Sequence, residues 1–94
     1  MGMKEVLKQV DEAFAFMHRT EPGVMHAFVK TLEVAEKPGS PTTKTKKLIA
    51  IALSVYAECQ WCITSHVQAA KNSGATDNGI MEAAKVVILI GGGP

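Results

Sequence analysis

The sequence predicts an all-α protein of about five helices, and three observations carry this prediction. Apolar residues recur three and four positions apart along most of the chain, as they do on one face of a helix. Clusters of glycine and proline divide these periodic stretches. No stretch of useful length alternates apolar and polar residues as a half-buried strand does.

The first two helices are predicted from their apolar periodicity. The first runs from about residue 4 to residue 17 and turns these side chains inward: Val6, Val10, Ala13, Phe14 and Met17. Pro22 and Gly23 end it, and the second helix covers about residues 24–36. The inward side chains of the second helix are Met25, Phe28, Val29 and Leu32. It stops at Lys37, because a residue that precedes proline disfavours helical geometry.

The third helix begins at Thr42 or Thr43, since either hydroxyl can cap it. Its first turns are basic, whereas residues 48–55 are apolar almost all round. A helix of that kind needs burial on every side.

The last two helices follow the same logic. The fourth starts close to Cys59, runs to Asn72 and closes on Gly74 as a C-terminal cap. The fifth is capped by Thr76 or Asp77 and is almost wholly apolar over residues 80–90. Residues 91–94, with three glycines before the proline, predict a tight turn.

Length and composition predict a single globular domain over residues 1–94. Hydrophobic residues make up 47% of the chain and charged residues 20%, which is an ordinary globular mixture. A net charge of +1 gives no reason to expect nucleic acid or a membrane as a partner. The N-terminus lacks the features of a secretory signal, and no apolar run approaches the roughly 20 residues of a membrane span. We therefore expect a cytoplasmic protein.

The amount of apolar helix surface predicts an oligomer. A chain of this length buries only about 60–70% of the surface of its unfolded state. The third and fifth helices carry more apolar surface than five short helices can cover. Part of one of them is expected to form an oligomer interface, and a tight monomeric bundle is the alternative.

Both cysteines and one of the three histidines lie in the segment AECQWCITSH, residues 57–66. On a helix, Cys59, Cys62 and His66 fall within a sector of about 60°, with His66 one turn after Cys62. The thiolate is the reactive form of cysteine, and a helix N-terminus or a nearby imidazole favours it. Cys62 is therefore the better candidate nucleophile, and Cys59 the thiol that resolves its sulfenic acid or mixed disulfide.

Other interpretations of the two thiols remain open. A structural zinc site needs a fourth ligand, for which His18 and His26 are the remaining histidines. The cysteines can also be inert core residues beside a core histidine, or one of them can serve a Cys-His-acid hydrolase. The second thiol would be idle in a hydrolase, so redox chemistry without cofactor or metal is the favoured prediction.

Residues 45–93 resemble the core of the carboxymuconolactone decarboxylase and alkylhydroperoxidase D superfamily. The resemblance rests on the apolar third helix, on Cys59-x-x-Cys62-x-x-x-His66, on the following AAKNSGAT and on the acidic-apolar helix after it. It implies an all-helical homo-oligomer, often a trimer or hexamer, with thiol peroxidase or disulfide reductase activity of the peroxiredoxin type, acting in antioxidant defence. It also implies that Cys62 attacks the hydroperoxide, Cys59 resolves it and His66 belongs to a proton relay. Two alternatives are a decarboxylase acting on a small organic acid and a non-catalytic oligomeric or zinc-binding protein. The decarboxylase branch generally lacks the paired cysteines.

The chain departs from this family at one position. A glutamate that usually completes the relay is replaced by Lys47, twelve residues before Cys59. A lysine does not accept a proton at neutral pH unless it is strongly desolvated, although its charge favours a nearby thiolate. Glu58 is a second candidate for the relay, if the fourth helix begins early enough to make it i,i+4 to Cys62. The alternative for both residues is an ordinary place on the surface.

Two aromatic residues flank the thiols. Trp61 and Tyr56 are candidates for lining a substrate pocket, and packing in the core or in an interface is the alternative. The substrates expected from this combination are a small hydroperoxide or a disulfide, with a thiol as the reductant.

Overall fold

The computed structural model describes residues 2–91 and contains five α-helices within them. The helices are α1 (Met3–Thr20), α2 (Pro22–Glu36), α3 (Thr43–Tyr56), α4 (Gln60–Asn72) and α5 (Asp77–Lys85), followed by a short 3₁₀ helix, Val86–Leu89. The all-α prediction is confirmed. The turn predicted for residues 91–94 lies mostly outside the described residues.

The helix ends follow from local sequence. Pro22 occupies the first position of α2, where its missing N–H and fixed φ are tolerated. Thr42 caps α3 by accepting a hydrogen bond from the Thr45 N–H at 3.3 Å, and Thr76 caps α5 through the Gly79 N–H at 3.0 Å. Gly74 follows α4 with φ +93°, a conformation that favours glycine.

The fifth helix is shorter than predicted. α5 ends at Lys85, and the apolar segment after it tightens into the 3₁₀ helix. Side chains of this segment are largely exposed, up to 80% for Leu89. The segment contacts α3 on one side only, and most of its side chains stay exposed. It therefore gains little from continuing as a regular α-helix, since most helical stability in proteins comes from packing.

The core lies where α3, α4 and α5 meet. Its buried members are Ile51, Ala70, Ala75 and Ile80, with Leu48, Val55 and Val67 packed against them. The pair α3–α4 forms the centre, α5 packs on α3, and α1 packs on α4. The buried residues of α1 are Val6 and Val10, and Val6 lies beside Thr64 of α4. This arrangement holds the turn between α3 and α4, with both cysteines, at one end of the central pair.

α2 is much less buried than its periodicity predicts. Only Met25 of its inward face is buried, while Phe28 and Val29 are exposed. The cause is its placement, because α2 packs on α1 and touches α3 only near its end. The radius of gyration, 14.1 Å, accordingly exceeds the roughly 12 Å of a compact domain of this length.

None of the helices within residues 2–91 is both long and apolar enough to cross a membrane.

Candidate functional site

The two cysteines lie at a tight turn that ends α3 and begins α4. The Glu58 N–H donates to the Val55 carbonyl at 3.0 Å, and the Cys59 N–H donates to the Ser54 carbonyl at 3.1 Å. These bonds form a Schellman motif, which satisfies the last carbonyls of α3. Its left-handed position is Glu58, with φ 55°, where glycine is the usual residue. The backbone of Cys59 is thereby fixed to the end of α3.

Cys59 is also the N-cap of α4. Its Sγ accepts a hydrogen bond from the backbone N–H of Cys62 at 3.1 Å, the role that a serine or aspartate oxygen usually plays. The Cα atoms of the two cysteines are 5.2 Å apart, well inside the range that a disulfide spans, and the pair is bonded. The structure therefore places an oxidised Cys-x-x-Cys pair at the positive end of a helix dipole.

His66 lies one turn after Cys62 on α4. Both are half-buried, and the i,i+4 spacing puts them on one face of the helix. α1 covers another face, since Val6 and Thr64 line a shared cavity. Thr64 and Cys62 differ by about 160° around the helix. The face with Cys62 and His66 therefore points away from α1.

Lys47 is mostly buried and carries an ion pair to α2. Its Nζ lies 2.8 Å from Oε2 of Glu36, and the two side chains are only 17% and 13% exposed. An ordinary surface position for Lys47 is thus excluded. Its charge is already paired with a carboxylate from the preceding helix. The approach of the two residues is secured by Thr43, whose hydroxyl donates to the Glu36 carbonyl at 2.6 Å.

Glu58 does not acquire the geometry that its relay role required. α4 begins at Gln60, so Glu58 lies outside the helix and is exposed in the left-handed turn. Glu58 is therefore not one helical turn before Cys62. It has the ordinary exposed position that the alternative interpretation predicted.

The two aromatic side chains lie in different surroundings. Tyr56 is 55% exposed, closes one end of an apolar groove between α3 and α5, and packs against Gly91. This groove has a volume of about 800 Å³ and is lined by residues such as Leu48, Ile49, Ala83 and Val87. Trp61 is 44% exposed on the first turn of α4 and lies outside it. Neither aromatic is a core residue.

The remaining histidines lie in the first two helices. The rings of His18 and His26 are 5.9 Å apart, where α1 turns into α2. Within residues 2–91, no three side chains of His, Cys, Asp or Glu come together in a way that could hold a metal ion.

Sequence reasoning missed two contributors to this region. Glu36, which pairs with Lys47, comes eleven residues earlier in another helix, and the sequence pattern did not predict their contact. Ser54, whose carbonyl fixes Cys59, looks like one polar residue in an apolar helix. The type of side chain at a position does not indicate which hydrogen bond the main-chain carbonyl of that residue accepts.

Comparison with known proteins gives a consistent result. The pattern of the carboxymuconolactone decarboxylase family matches residues 22–94. An uncharacterized protein from Cupriavidus necator is 32% identical over 98% of this chain and 81% of its own length. An uncharacterized protein of the cox locus of Paracoccus denitrificans is 38% identical over 69% of this chain, which spans only 59% of that protein.

A solved structure is similar over nearly the whole chain. It is the crystal structure of an apo carboxymuconolactone decarboxylase family protein from Legionella pneumophila. The TM-score is 0.90 with 32% identity, covering 98% of this chain and 82% of the other.

Proposed function

Because the chain belongs to the carboxymuconolactone decarboxylase family, whose members include redox-active and decarboxylating enzymes, we propose that it is a thiol oxidoreductase. The proposed activity is reduction of a small hydroperoxide or a disulfide, of the peroxiredoxin type, in antioxidant defence. The observation that carries the proposal is the Cys59–Cys62 disulfide at the start of α4. The decarboxylase branch of the family generally lacks such a pair.

The proposed reaction uses each sulfur once. The Cys62 thiolate attacks the distal oxygen of ROOH, which gives Cys62 sulfenic acid and, after protonation, the alcohol ROH. Cys59 then attacks the sulfur of the sulfenic acid, so that the disulfide forms and water leaves. The peroxide gains two electrons and the two thiols lose them. His66, one turn from Cys62, is the proposed group that moves the proton.

The substitutions that test this proposal leave the fold intact. Cys59→Ser keeps an oxygen at the N-cap, so α4 stays capped. We expect Cys62→Ser to abolish peroxide consumption. We expect Cys59→Ser to form a sulfenic acid that dimedone traps and mass spectrometry locates on Cys62. The double variant gives the background rate.

Two outcomes decide against the proposal. Wild-type peroxide turnover in both single variants would exclude thiol chemistry at this site. Lactone decarboxylation that survives complete alkylation of both cysteines would favour the decarboxylase alternative instead.

The Lys47–Glu36 pair bears on the rate of turnover. In the family that the chain resembles, a glutamate at the position of Lys47 usually completes the relay with the histidine. Here a lysine that is paired with Glu36 occupies that position. We therefore propose slow peroxide turnover, with thiol–disulfide exchange less affected because it needs no proton relay of this kind.

We further propose a cytoplasmic homo-oligomer, a trimer or hexamer. The cytoplasm supplies thiol reductants that regenerate such a pair. The unusual number of exposed apolar side chains supports self-association, above all those after α5: Val86, Ile88, Leu89 and Ile90. Sedimentation or light scattering of the purified protein measures the subunit number.

A further inference from the structure

We infer that an external thiol reduces this protein by attacking Sγ of Cys62, and that Cys59 is the sulfur displaced as a thiolate. This inference rests on the proposed function and goes beyond it by assigning the point of contact with the reductant. Cys62 would then meet both external substrates, the oxidant and the reductant, while Cys59 reacts only with Cys62.

The first argument concerns the leaving group. In thiol–disulfide exchange the sulfur that is better stabilised as an anion leaves faster. Sγ of Cys59 accepts the Cys62 N–H at 3.1 Å while the disulfide is closed. When Cys59 departs as a thiolate, that bond becomes charge-assisted and stronger. The stabilising donor is thus in place before the reaction starts.

The second argument compares the two sulfurs. Among residues 2–91, no hydrogen-bond donor reaches Sγ of Cys62, not even the ring of His66 one turn later, and this sulfur lies within the first turn of α4. Cys59 stands at the cap itself, where the positive end of the helix dipole is strongest. Both cysteines are half-buried, so accessibility does not favour attack on Cys59. Stabilisation of the leaving group therefore selects Cys62 as the sulfur attacked.

The turn before α4 keeps this asymmetry fixed. The Cys59 N–H is held by the Ser54 carbonyl at 3.1 Å, so the cap cannot swing away from α4 without breaking the end of α3. Rigid support from the preceding helix allows Cys59 to remain at the cap after the disulfide opens.

The exchange balances with a dithiol reductant. Its first thiolate bonds to Sγ of Cys62 and breaks the Cys59–Cys62 bond, which leaves a mixed disulfide on Cys62 and a thiolate on Cys59. The second thiol of the reductant then attacks the reductant's first sulfur, which is the one bonded to Cys62. The mixed disulfide breaks, and Cys62 is released as a thiolate. The reductant loses two electrons and becomes a disulfide, and the protein gains two electrons and two protons.

Rapid quenching tests which sulfur is attacked. Oxidised full-length protein is mixed with 2-mercaptoethanol, a monothiol that cannot complete the second step, and quenched with excess N-ethylmaleimide. Fragmentation in the mass spectrometer then locates the mercaptoethanol adduct and the maleimide label on the two cysteines. We expect mercaptoethanol on Cys62 and maleimide on Cys59, by a factor of roughly five or more at zero time.

The same measurement in concentrated guanidinium chloride is the matched control. Unfolding removes the helix cap, so the preference should fall to nearly even. An even distribution in the native protein, or an excess of adduct on Cys59, would overturn the inference and leave the proposed function standing. If the native disulfide forms no adduct on either sulfur, the inference and the proposed function both fail.

Discussion

The ion pair between Lys47 and Glu36 predicts a loss of stability on mutation, and the structure allows an estimate of its magnitude. At 2.8 Å and an effective dielectric constant of about 20, two unit charges attract by about 6 kcal/mol. Desolvation of both groups offsets much of this attraction. Lys47→Met leaves Glu36, which is 13% exposed, without its counter-charge. Losing one partner of a fully buried pair costs about 3–5 kcal/mol, so we expect a loss of about 2–3 kcal/mol here.

Urea denaturation at a fixed protein concentration measures this loss, because association also contributes to apparent stability. The matched control is Lys85→Met, which breaks the Lys85–Glu82 pair, whose side chains are 60% and 59% exposed. That change should cost less than about 1 kcal/mol. Replacing both Lys47 and Glu36 by apolar residues should recover most of the loss. Equal losses of unfolding free energy in Lys47→Met and Lys85→Met would refute the reasoning.

Two further predictions concern the turn and the relay. Glu58→Gly should raise the free energy of unfolding by about 1 kcal/mol, since glycine adopts φ 55° without the steric cost of a side chain. The reciprocal Gly74→Ala, at the same motif after α4, should lower it by a similar amount, and urea denaturation that fails to give opposite signs would contradict the argument. The charge swap Glu36→Lys with Lys47→Glu keeps the pair and places a carboxylate at position 47, so we expect faster hydroperoxide consumption at unchanged stability. Faster consumption in Lys47→Met, which has no carboxylate there, would instead assign the slow rate to the lysine itself.

Much of the fold and part of the site were predictable from local sequence. The caps at Thr42 and Thr76 and the termination at Gly74 are local devices, so their residues can be recognised without tertiary information. The Cys-x-x-Cys-x-x-x-His motif likewise predicted that Cys62 and His66 share one face of α4, although Cys59 lies just outside that helix as its N-cap. The assignment of catalytic roles to Cys62, Cys59 and His66, and of the whole chain to one domain, stays a prediction.

Burial was less predictable than helix position. Phe14 and Phe28 lie on the apolar faces of α1 and α2, yet both are exposed and contact each other at the surface, with ring centroids 6.4 Å apart. Periodicity shows which face of a helix is apolar, and it does not show what covers that face. The same gap explains why α5 ends earlier than its apolar run.

The sequence by itself determined the all-α class, most helix boundaries and the position of Cys62 and His66 on one face of α4. These depend on interactions between residues a few positions apart, which spacing records directly. Only the tertiary structure decided that Lys47 is paired with Glu36, that Glu58 stands in a left-handed turn outside α4, and that the Cys62 N–H is directed at Cys59. Each of these depends on where one helix ends against the next, and that is set by packing of whole helices.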